Sequence, residues 1–321
     1  MQQYVIRRLL AVIPMLLGVS IIIFALVRVI PGDVALLMVT GGQDAPSSMD
    51  RLAVVEEIRR QLDLDKPIVV QYGIWLGKAV QGDLGVSYWT RRPILDEIVK
   101  TFPVTMELAL LSLAVALLVG IPVGVVSAVR QDSLPDYAGR FLSIGALSIP
   151  EFWVGTMMIL LPLLWWGWIP TIKYTPLWVD PMANLSQLVF PAVAIGVNGA
   201  GPIMRLIRSS MLEVVRQDYI RTAWAKGLRE RSVLVHHALK NAAIPVLSLI
   251  GVRLERLLGG TVVLESIFAI PGMGRLALGA ISERDYPMVQ AVIVAFAAIA
   301  IFINLATDLL YAWLDPRIRY Q

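Results

Sequence analysis

Cysteine is absent from the 321 residues of this chain, and histidine occurs twice, at His236 and His237. Without cysteine the chain has no disulfide bond, no thiolate metal site and no cysteine nucleophile, and the redox compartment stays undetermined. Adjacent residues on a helix point in different directions, so His236 and His237 are not expected to bind one metal ion together. We therefore expect no metal site.

Charged residues are also scarce. They make up 16% of the sequence, whereas soluble proteins contain about one quarter. Hydrophobic residues make up 57%, and the mean hydropathy is +0.70. This composition places the chain in a membrane. The net charge of +4 is small and no basic tail is present, so nucleic acid is not an expected partner.

Motifs of hydrolytic enzymes are missing as well. The sequence has no Gly-x-x-x-x-Gly-Lys phosphate loop, no His-Glu-x-x-His zinc motif and no Gly-x-Ser-x-Gly turn. We therefore predict that the chain is not an enzyme, does not hydrolyse ATP and binds no cofactor of its own. An intramembrane hydrolase would need a nucleophile and a base that the sequence does not offer.

The first long apolar run covers residues 9–27 and directly follows Arg7 and Arg8. At about 1.5 Å per residue, a helix of this length crosses roughly 30 Å of hydrocarbon. The alternative is a cleaved signal peptide, but the run is longer than the usual apolar region and no small-x-small site follows it. The two arginines place the N-terminus in the cytoplasm.

Further apolar runs predict five more spans, which gives an all-α integral membrane protein with six transmembrane helices and both termini cytoplasmic. Trp165, Trp166 and Trp168 are typical of an interfacial belt, and a stacking site for a ligand is the alternative. The five predicted spans are 108–129, 141–168, 181–204, 241–264 and 286–311.

The spans define three regions. Residues 1–30 hold the N-terminal segment and first span, and residues 104–321 hold the other five spans. Between them, residues 31–103 form a mixed-charge insert, which we expect on the extracytoplasmic side of the membrane because long translocated segments escape the positive-inside bias. A capping-box pattern at residues 47–50, followed by helical spacing to Leu62, predicts one insert helix, and residues 69–80 predict a second.

A long polar loop, residues 205–240, is too charged to lie in lipid. Within 211–225 several side chains recur near helical spacing, and Gly227 offers a stop, so we predict a short surface helix. A basic cytoplasmic loop without any partner is the simpler alternative. The recurring side chains are Leu212, Val215, Tyr219, Thr222 and Ala223.

The amino-acid sequence of this loop is more informative than its charge. Residues 218–228 read Asp-Tyr-Ile-Arg-Thr-Ala-Trp-Ala-Lys-Gly-Leu, and residues 271–276 read Pro-Gly-Met-Gly-Arg-Leu. Together with Tyr-Val-Ile-Arg-Arg-Leu at residues 4–9, these stretches resemble permease subunits of ATP-driven, binding-protein-dependent ABC importers. The resemblance is to the dipeptide, oligopeptide, glutathione and nickel branch, and to the first permease of the pair. It implies the type I ABC importer permease fold.

The resemblance also implies partners. They are a second homologous permease, two cytoplasmic ATPase subunits that carry ATP and Mg, an extracytoplasmic substrate-binding protein, a peptide substrate and the lipid of the prokaryotic inner (plasma) membrane. Arg221-Thr222-Ala223 stands where Glu-Ala-Ala is commoner in the wider superfamily. The residues implied to couple to the ATPase are Asp218, Tyr219, Arg221, Thr222, Ala223, Trp224, Lys226 and Gly227.

Ionisable residues also occur inside predicted spans, at Glu151, Arg253, Glu255 and Arg256. Charges at this depth are costly unless they face a partner or water. One hypothesis is that they line the translocation pathway and meet the charged ends of a peptide, and the other is that they pair with the second permease. A secondary transporter coupled to protons through Glu151 and Glu255 is a competing function, but it leaves the long loop unexplained. The cargo stays open between dipeptide, oligopeptide, glutathione and a nickel complex.

Overall fold

The computed structural model describes residues 2–29, 55–56, 59–60, 64–171 and 173–314. The predicted insert helix at 47–62 lies mostly outside these residues, as does the C-terminal stretch 315–321. The described residues are helical apart from loops and one isolated β-bridge between Val86 and Pro93. In chain order the helices are α1 (Gln2–Val29), α2 (Ile68–Val80), α3 (Ile94–Val129), α4 (Leu134–Ser148), α5 (Glu151–Trp166), α6 (Pro181–Val215), α7 (Asp218–Ala225), α8 (Glu230–Ala242), α9 (Ile244–Gly260), α10 (Val262–Ile267), α11 (Met273–Ser282) and α12 (Tyr286–Leu314).

The prediction of an all-α membrane protein is confirmed. Among the described helices, α1, α3, α6 and α12 are long and apolar enough to cross a membrane. Two further pairs satisfy the same criterion as bent spans: α4 with α5, at 93°, and α8 with α9, at 51°. Counting each bent pair as one span gives the six that the apolar runs predict. The predicted helix at 69–80 is confirmed as α2.

The third predicted span, 141–168, is not one straight helix. The chain turns between α4 and α5 at Ile149 and Pro150, which both have extended backbone. Proline has no N–H to continue a helical hydrogen bond, and it pushes the preceding residue out of the helical region. Glu151 is the one charged residue at this turn and the segments on both sides are apolar, so hydropathy alone predicts a single straight helix.

The fourth predicted span is longer than expected. α6 runs from Pro181 to Val215, through the first part of the loop predicted at 205–240. The polar side chains after Met204 were interpreted as leaving the helix, but Arg208 is bound by a buried carboxylate of another helix. Met211 and Val215 therefore belong to α6, and the surface helix begins only at Asp218.

Two other boundaries also differ from the apolar runs. α3 begins at Ile94, inside the insert predicted to reach residue 103, because the polar residues Asp96 and Glu97 lie in its first turn. The fifth span was predicted to begin at residue 241, but its helical segment begins earlier, with α8 at Glu230. The central turns of α8 are π-helical, and the segment continues through α9 into the short helix α10.

Residues 103–275 with 302–314 make one compact unit. In it, α3 packs closely on α6 at three glycines, and a methyl group at each would overlap its neighbour. A Cβ added at Gly196 of α6 would lie 2.6 Å from Val115 of α3. A Cβ added at Gly120 or Gly124 of α3 would lie 2.8 Å from Ile203 or 2.9 Å from Ile207 of α6. The paired positions advance along both helices in the same direction, so α3 and α6 run parallel. Small residues allow this backbone approach.

Residues 2–102 with 276–301 make a second compact unit, counted over the described residues. Its α2 is held to α1 by polar and aromatic contacts. The hydroxyls of Ser20 and Tyr72 are 2.9 Å apart, and Arg28 Nε donates to Gln71 Oε1 at 3.0 Å. Phe24 and Tyr72 pack edge to face at 5.4 Å. The insert following the first span is thus anchored to that span.

Candidate coupling site

The surface helix α7 ends at a glycine, as predicted. Gly227 has φ +73°, in the left-handed region where side chains other than glycine, asparagine and aspartate are strained. Its N–H donates to the Trp224 carbonyl oxygen at 2.9 Å, and Lys226 N–H donates to Thr222 at 3.1 Å. These bonds close the last turn of the helix.

The inner face of α7 is apolar and docked on its own chain. Ile220 is completely buried and Ala223 is 7% exposed. Both belong to a buried cluster that includes Met211 of α6 and Val233 and Ala238 of α8. Tyr219 strengthens the attachment, since its hydroxyl accepts a hydrogen bond from Asn241 Nδ2 at 2.9 Å.

The outer face of α7 is exposed, and most of the predicted coupling residues lie on it. Tyr219 is 44% and Trp224 is 42% exposed. Asp218 and Arg221 are 3.6 Å apart, but both side chains are solvated, so this pair adds little stability. Ala223 is the exception among the predicted residues, because it faces inward. The other exposed members are Thr222, Lys226 and Gly227.

A buried charge cluster that the sequence analysis missed lies near α7. Asp136 of α4 is completely buried, and its carboxylate accepts from Arg208 of α6 through Nε at 2.7 Å and Nη2 at 2.8 Å. Arg140, Ser127 and the Asp132 N–H also donate to it. The Asp136–Arg140 spacing is a helical pair and was visible, but Arg208 is 72 residues away and carries no sequence signal.

The predicted charges within the spans separate into two places. Glu151, at the start of α5, interacts electrostatically with Arg253 of α9, and both are partly buried. The Arg253 guanidinium lies against Gly199 of α6, where any added side chain would overlap it. Glu255 instead accepts from Asn304 Nδ2 of α12 at 3.1 Å, and Arg256 is exposed. The structure therefore brings Glu151 and Arg253 together and places Glu255 elsewhere.

A second missed residue is Glu265 of α10, which is completely buried. Its Oε1 accepts from Thr105 at 2.8 Å and from Thr261 at 2.9 Å, and its Oε2 accepts from the Arg275 N–H at 3.0 Å. The Thr105 hydroxyl in turn accepts from Met273 N–H at 2.8 Å. The 271–276 motif thus folds around this carboxylate.

Asp285 plays a similar part in the unit formed by 2–102 and 276–301. It is 2% exposed and accepts from Ser87 Oγ at 2.6 Å and Tyr88 N–H at 3.0 Å, and it caps the start of α12. Burial raises the pKa of the Tyr88 phenol to about 12, so that side chain stays neutral. The second half of the insert is thereby fixed to the last span.

Glu107 of α3 accepts from the Tyr174 hydroxyl at 2.8 Å. Burial and this hydrogen bond both raise the pKa of Tyr174, which keeps the phenol protonated as the donor.

His236 and His237 are exposed on α8. Among the described residues, no group of three or more His, Cys, Asp and Glu side chains is arranged to hold a metal ion.

Comparison with known proteins agrees with this geometry. Residues 120–320 match the family described as "Binding-protein-dependent transport system inner membrane component". Residues 1–109 match the description "Binding-prot-dependent transport system membrane comp, N-term". A putative peptide transport system permease protein of Brucella abortus is 40% identical over 321 residues, covering 100% of both chains.

Two other relatives carry more specific names. The dipeptide transport system permease protein DppB of Alkalihalophilus pseudofirmus is 38% identical over 340 residues, and the glutathione transport system permease protein GsiC of Pectobacterium atrosepticum is 39% identical over 321 residues. In each case 100% of this chain and of the relative is covered.

Solved structures support the fold. The MetNI methionine ABC transporter, in an inward-facing conformation, has a chain with a TM-score of 0.54 and 19% identity, covering 68% of this chain and 96% of that chain. Together with the apolar helices, these matches make the chain an integral inner membrane protein with the type I ABC importer permease fold. It belongs to the binding-protein-dependent transport system inner membrane component family, the permeases of ABC importers.

Proposed function

We propose that this chain is one permease of a pair that imports peptides across the inner membrane at the expense of ATP. The relatives named as peptide, dipeptide and glutathione permeases, similar over their full lengths, support the substrate class. A nickel complex is the alternative cargo, because the implied branch includes nickel importers.

The observation that carries the proposal is the two-sided surface helix α7. Its inner face is fixed on the permease by Ile220 and Ala223, while Tyr219 and Trp224 are exposed on the outer face. A helix held this way presents a fixed surface to which a second protein can bind. In the proposed complex two cytoplasmic ATPase subunits bind ATP and Mg, and one of them binds the exposed face of α7.

The mechanism follows from these attachments. ATP binding draws the two ATPase subunits together and moves α7, which moves α6 through their shared apolar cluster. The pathway between this chain and the second permease then alternates between outward and inward openings. A substrate-binding protein delivers peptide on the outer side, and both termini lie in the cytoplasm, as Arg7 and Arg8 favour. The permease itself carries out no covalent step.

The coupling role is tested by the glycine that ends α7. Valine at position 227 is strained at φ +73° by roughly 1–2 kcal/mol, whereas asparagine adopts this conformation readily. Among the described residues beyond its two chain neighbours, no heavy atom lies within 4 Å of a Cβ added at Gly227, so neither variant is expected to clash. We expect Gly227→Val to lower ATP-dependent uptake about fivefold or more, and Gly227→Asn to retain it.

The measurement is uptake of a labelled peptide library into vesicles that hold the chain with its co-purifying subunits. Dependence on ATP, and the lengths of the peptides taken up, identify the coupling and the substrate class. A nickel chelate added to the library tests the alternative cargo. Uptake driven by a proton gradient without ATP, and equal in both variants, would support a secondary transporter instead.

The pathway hypothesis for the charges within the spans is tested by Arg253→Gln and Glu255→Gln. Arg253 is only partly buried, and we propose that it faces the route taken by the peptide carboxylate. We expect Arg253→Gln to raise the KM for peptide uptake about tenfold, the size of one lost charged contact. Glu255→Gln tests the other candidate charge, and we expect a smaller change in KM because Glu255 lies against Asn304, away from the Glu151–Arg253 pair. Weakened assembly with the second permease, at unchanged KM, would favour structural pairing.

A further inference from the structure

The Asp136 cluster joins three helices by a single carboxylate. Ser127 lies near the end of α3, Asp136 and Arg140 lie on α4, and Arg208 lies on α6. Every polar atom of the carboxylate is engaged, because each oxygen accepts from both arginines and also from either Ser127 or the Asp132 N–H. The Arg208 fork binds both oxygens, which fixes orientation as well as distance.

The two arginines have different geometric roles. Arg140 is four residues from Asp136 on the same helix, so that contact stays within α4. Arg208 binds Asp136 across the gap between α6 and α4. The Arg208 pair is therefore a connection between helices, while the Arg140 pair is internal to one of them.

Arg208 also lies next to the attachment of the surface helix. Met211 follows it by three residues, close on the same face of α6. Met211 is completely buried in the cluster that holds Ile220 and Ala223 of α7. α7 therefore packs directly against the segment of α6 that holds Arg208.

At its C-terminal end, α4 does not continue into α5 as one straight helix. The turn at Ile149 and Pro150 bends the pair by 93°. α4 also packs on α6 along its length. Ser143 Oγ donates to the Gly201 oxygen at 2.9 Å, and Asn198 Nδ2 donates to the Ala146 oxygen at 3.0 Å. The Asp136–Arg208 pair adds a link between two charged side chains to these neutral contacts.

We propose that Asp136 and Arg208 are positioning residues for transport, which make α4 follow the movement that the ATPase imposes on α7 and α6. The inference rests on the proposed coupling function and extends it, because it names the route by which motion leaves α6. A purely structural clamp would stabilise the fold without affecting how much transport each ATP supports.

The test compares Arg208→Gln with Arg140→Gln in vesicles that contain the complete importer. Both changes remove one guanidinium from the same carboxylate, but only the first breaks the link between helices. We expect Arg208→Gln to assemble and hydrolyse ATP while peptide uptake per ATP falls about tenfold or more. Arg140→Gln should change this ratio less than threefold, in the range of a weak coupling. Arg208→Lys, which keeps the charge but loses the fork, should be intermediate.

A conformational readout separates coupling from stability. Because the chain contains no cysteine, Leu142→Cys on α4, whose side chain is exposed, gives one thiol for labelling. Its labelling rate should differ between nucleotide-free and ATP-trapped complexes, and this difference should disappear in Arg208→Gln. Equal uptake per ATP and an equal labelling change in wild type and Arg208→Gln would overturn the proposal. So would failure of both Arg208→Gln and Arg208→Lys to assemble, which indicates a structural clamp. Absence of ATP-dependent uptake in the wild type would instead contradict the proposed function.

Discussion

Replacing Gly272 with alanine is expected to disrupt the segment between α10 and α11 and to destabilise the whole chain. A Cβ at this position would overlap the carboxylate of Glu265, which is completely buried. The carboxylate has no room to retreat, because Thr105, Thr261 and the Arg275 N–H already hold it. Either the backbone of Gly272 or the Glu265 side chain must therefore move.

The size of the effect follows from both consequences. Overpacking a filled site costs about 1–3 kcal/mol, and breaking one hydrogen bond to a buried charged group costs about 1.5–3 kcal/mol. The free energy of unfolding should fall by about 2.5–6 kcal/mol if both consequences occur. That is a large part of the roughly 5–15 kcal/mol that keeps a typical protein folded.

Thermal unfolding of the detergent-solubilised complex and tryptic cleavage after the exposed Arg275 measure this effect. Gly279→Ala is the matched control, because Gly279 lies inside α11 and, in the part of the chain that the structure describes, no atom outside the local helix lies within 4 Å of its added Cβ. Alanine there should be neutral or stabilise by about 0.5–1 kcal/mol. If overlap with Glu265 is the cause, Gly272→Ala should add little in a Glu265→Ala background. Equal stability of Gly272→Ala and Gly279→Ala would refute the packing argument.

Replacing Ile220 with alanine should release the surface helix α7 from the permease and abolish transport. α7 has eight residues, and a helix this short is not stable by itself in water. Its attachment depends on Ile220, which is completely buried, and on the smaller Ala223. Truncating a buried isoleucine costs about 2–5 kcal/mol, which exceeds what an isolated eight-residue helix retains.

The contrast with Trp224→Ala identifies the two faces of the helix. Both variants should lose ATP-dependent uptake, but for different reasons. In the isolated permease, trypsin should cleave after Arg221 and Lys226 much faster in Ile220→Ala than in the wild type. Trp224→Ala should be cleaved at the wild-type rate, because the Trp224 side chain is 42% exposed and, in the proposed complex, contacts the ATPase. Equal protection of α7 in both variants would show that the buried face does not hold the helix.

Structural features that depend only on residues close together in the chain could be predicted from the sequence. The first and last spans follow from uncharged runs long enough to cross the membrane, and α1 and α12 confirm them. Gly227 ends the surface helix because its left-handed backbone conformation is a local property. The insert helix α2 was likewise visible in its own spacing.

Features that depend on distant partners could not be predicted. The helix α6 continues past Met204 because Asp136, 72 residues before Arg208, neutralises a charge that hydropathy assigns to a loop. The motif at 271–276 was recognised as a pattern, but the sequence does not show that it folds around the Glu265 carboxylate. That carboxylate also binds Thr105, which lies 160 residues before Glu265. Neither pairing leaves a periodic trace in the sequence.

The sequence by itself thus determined that this chain crosses a membrane, how many apolar segments do so, and which family it belongs to, because length, hydropathy and local wording carry that information. The tertiary structure decided where α4 bends into α5, which buried charges pair, and which face of α7 is free for a partner. These are properties of contacts between helices. Buried polar groups choose their partners by distance in space, and hydropathy along the chain does not record that distance.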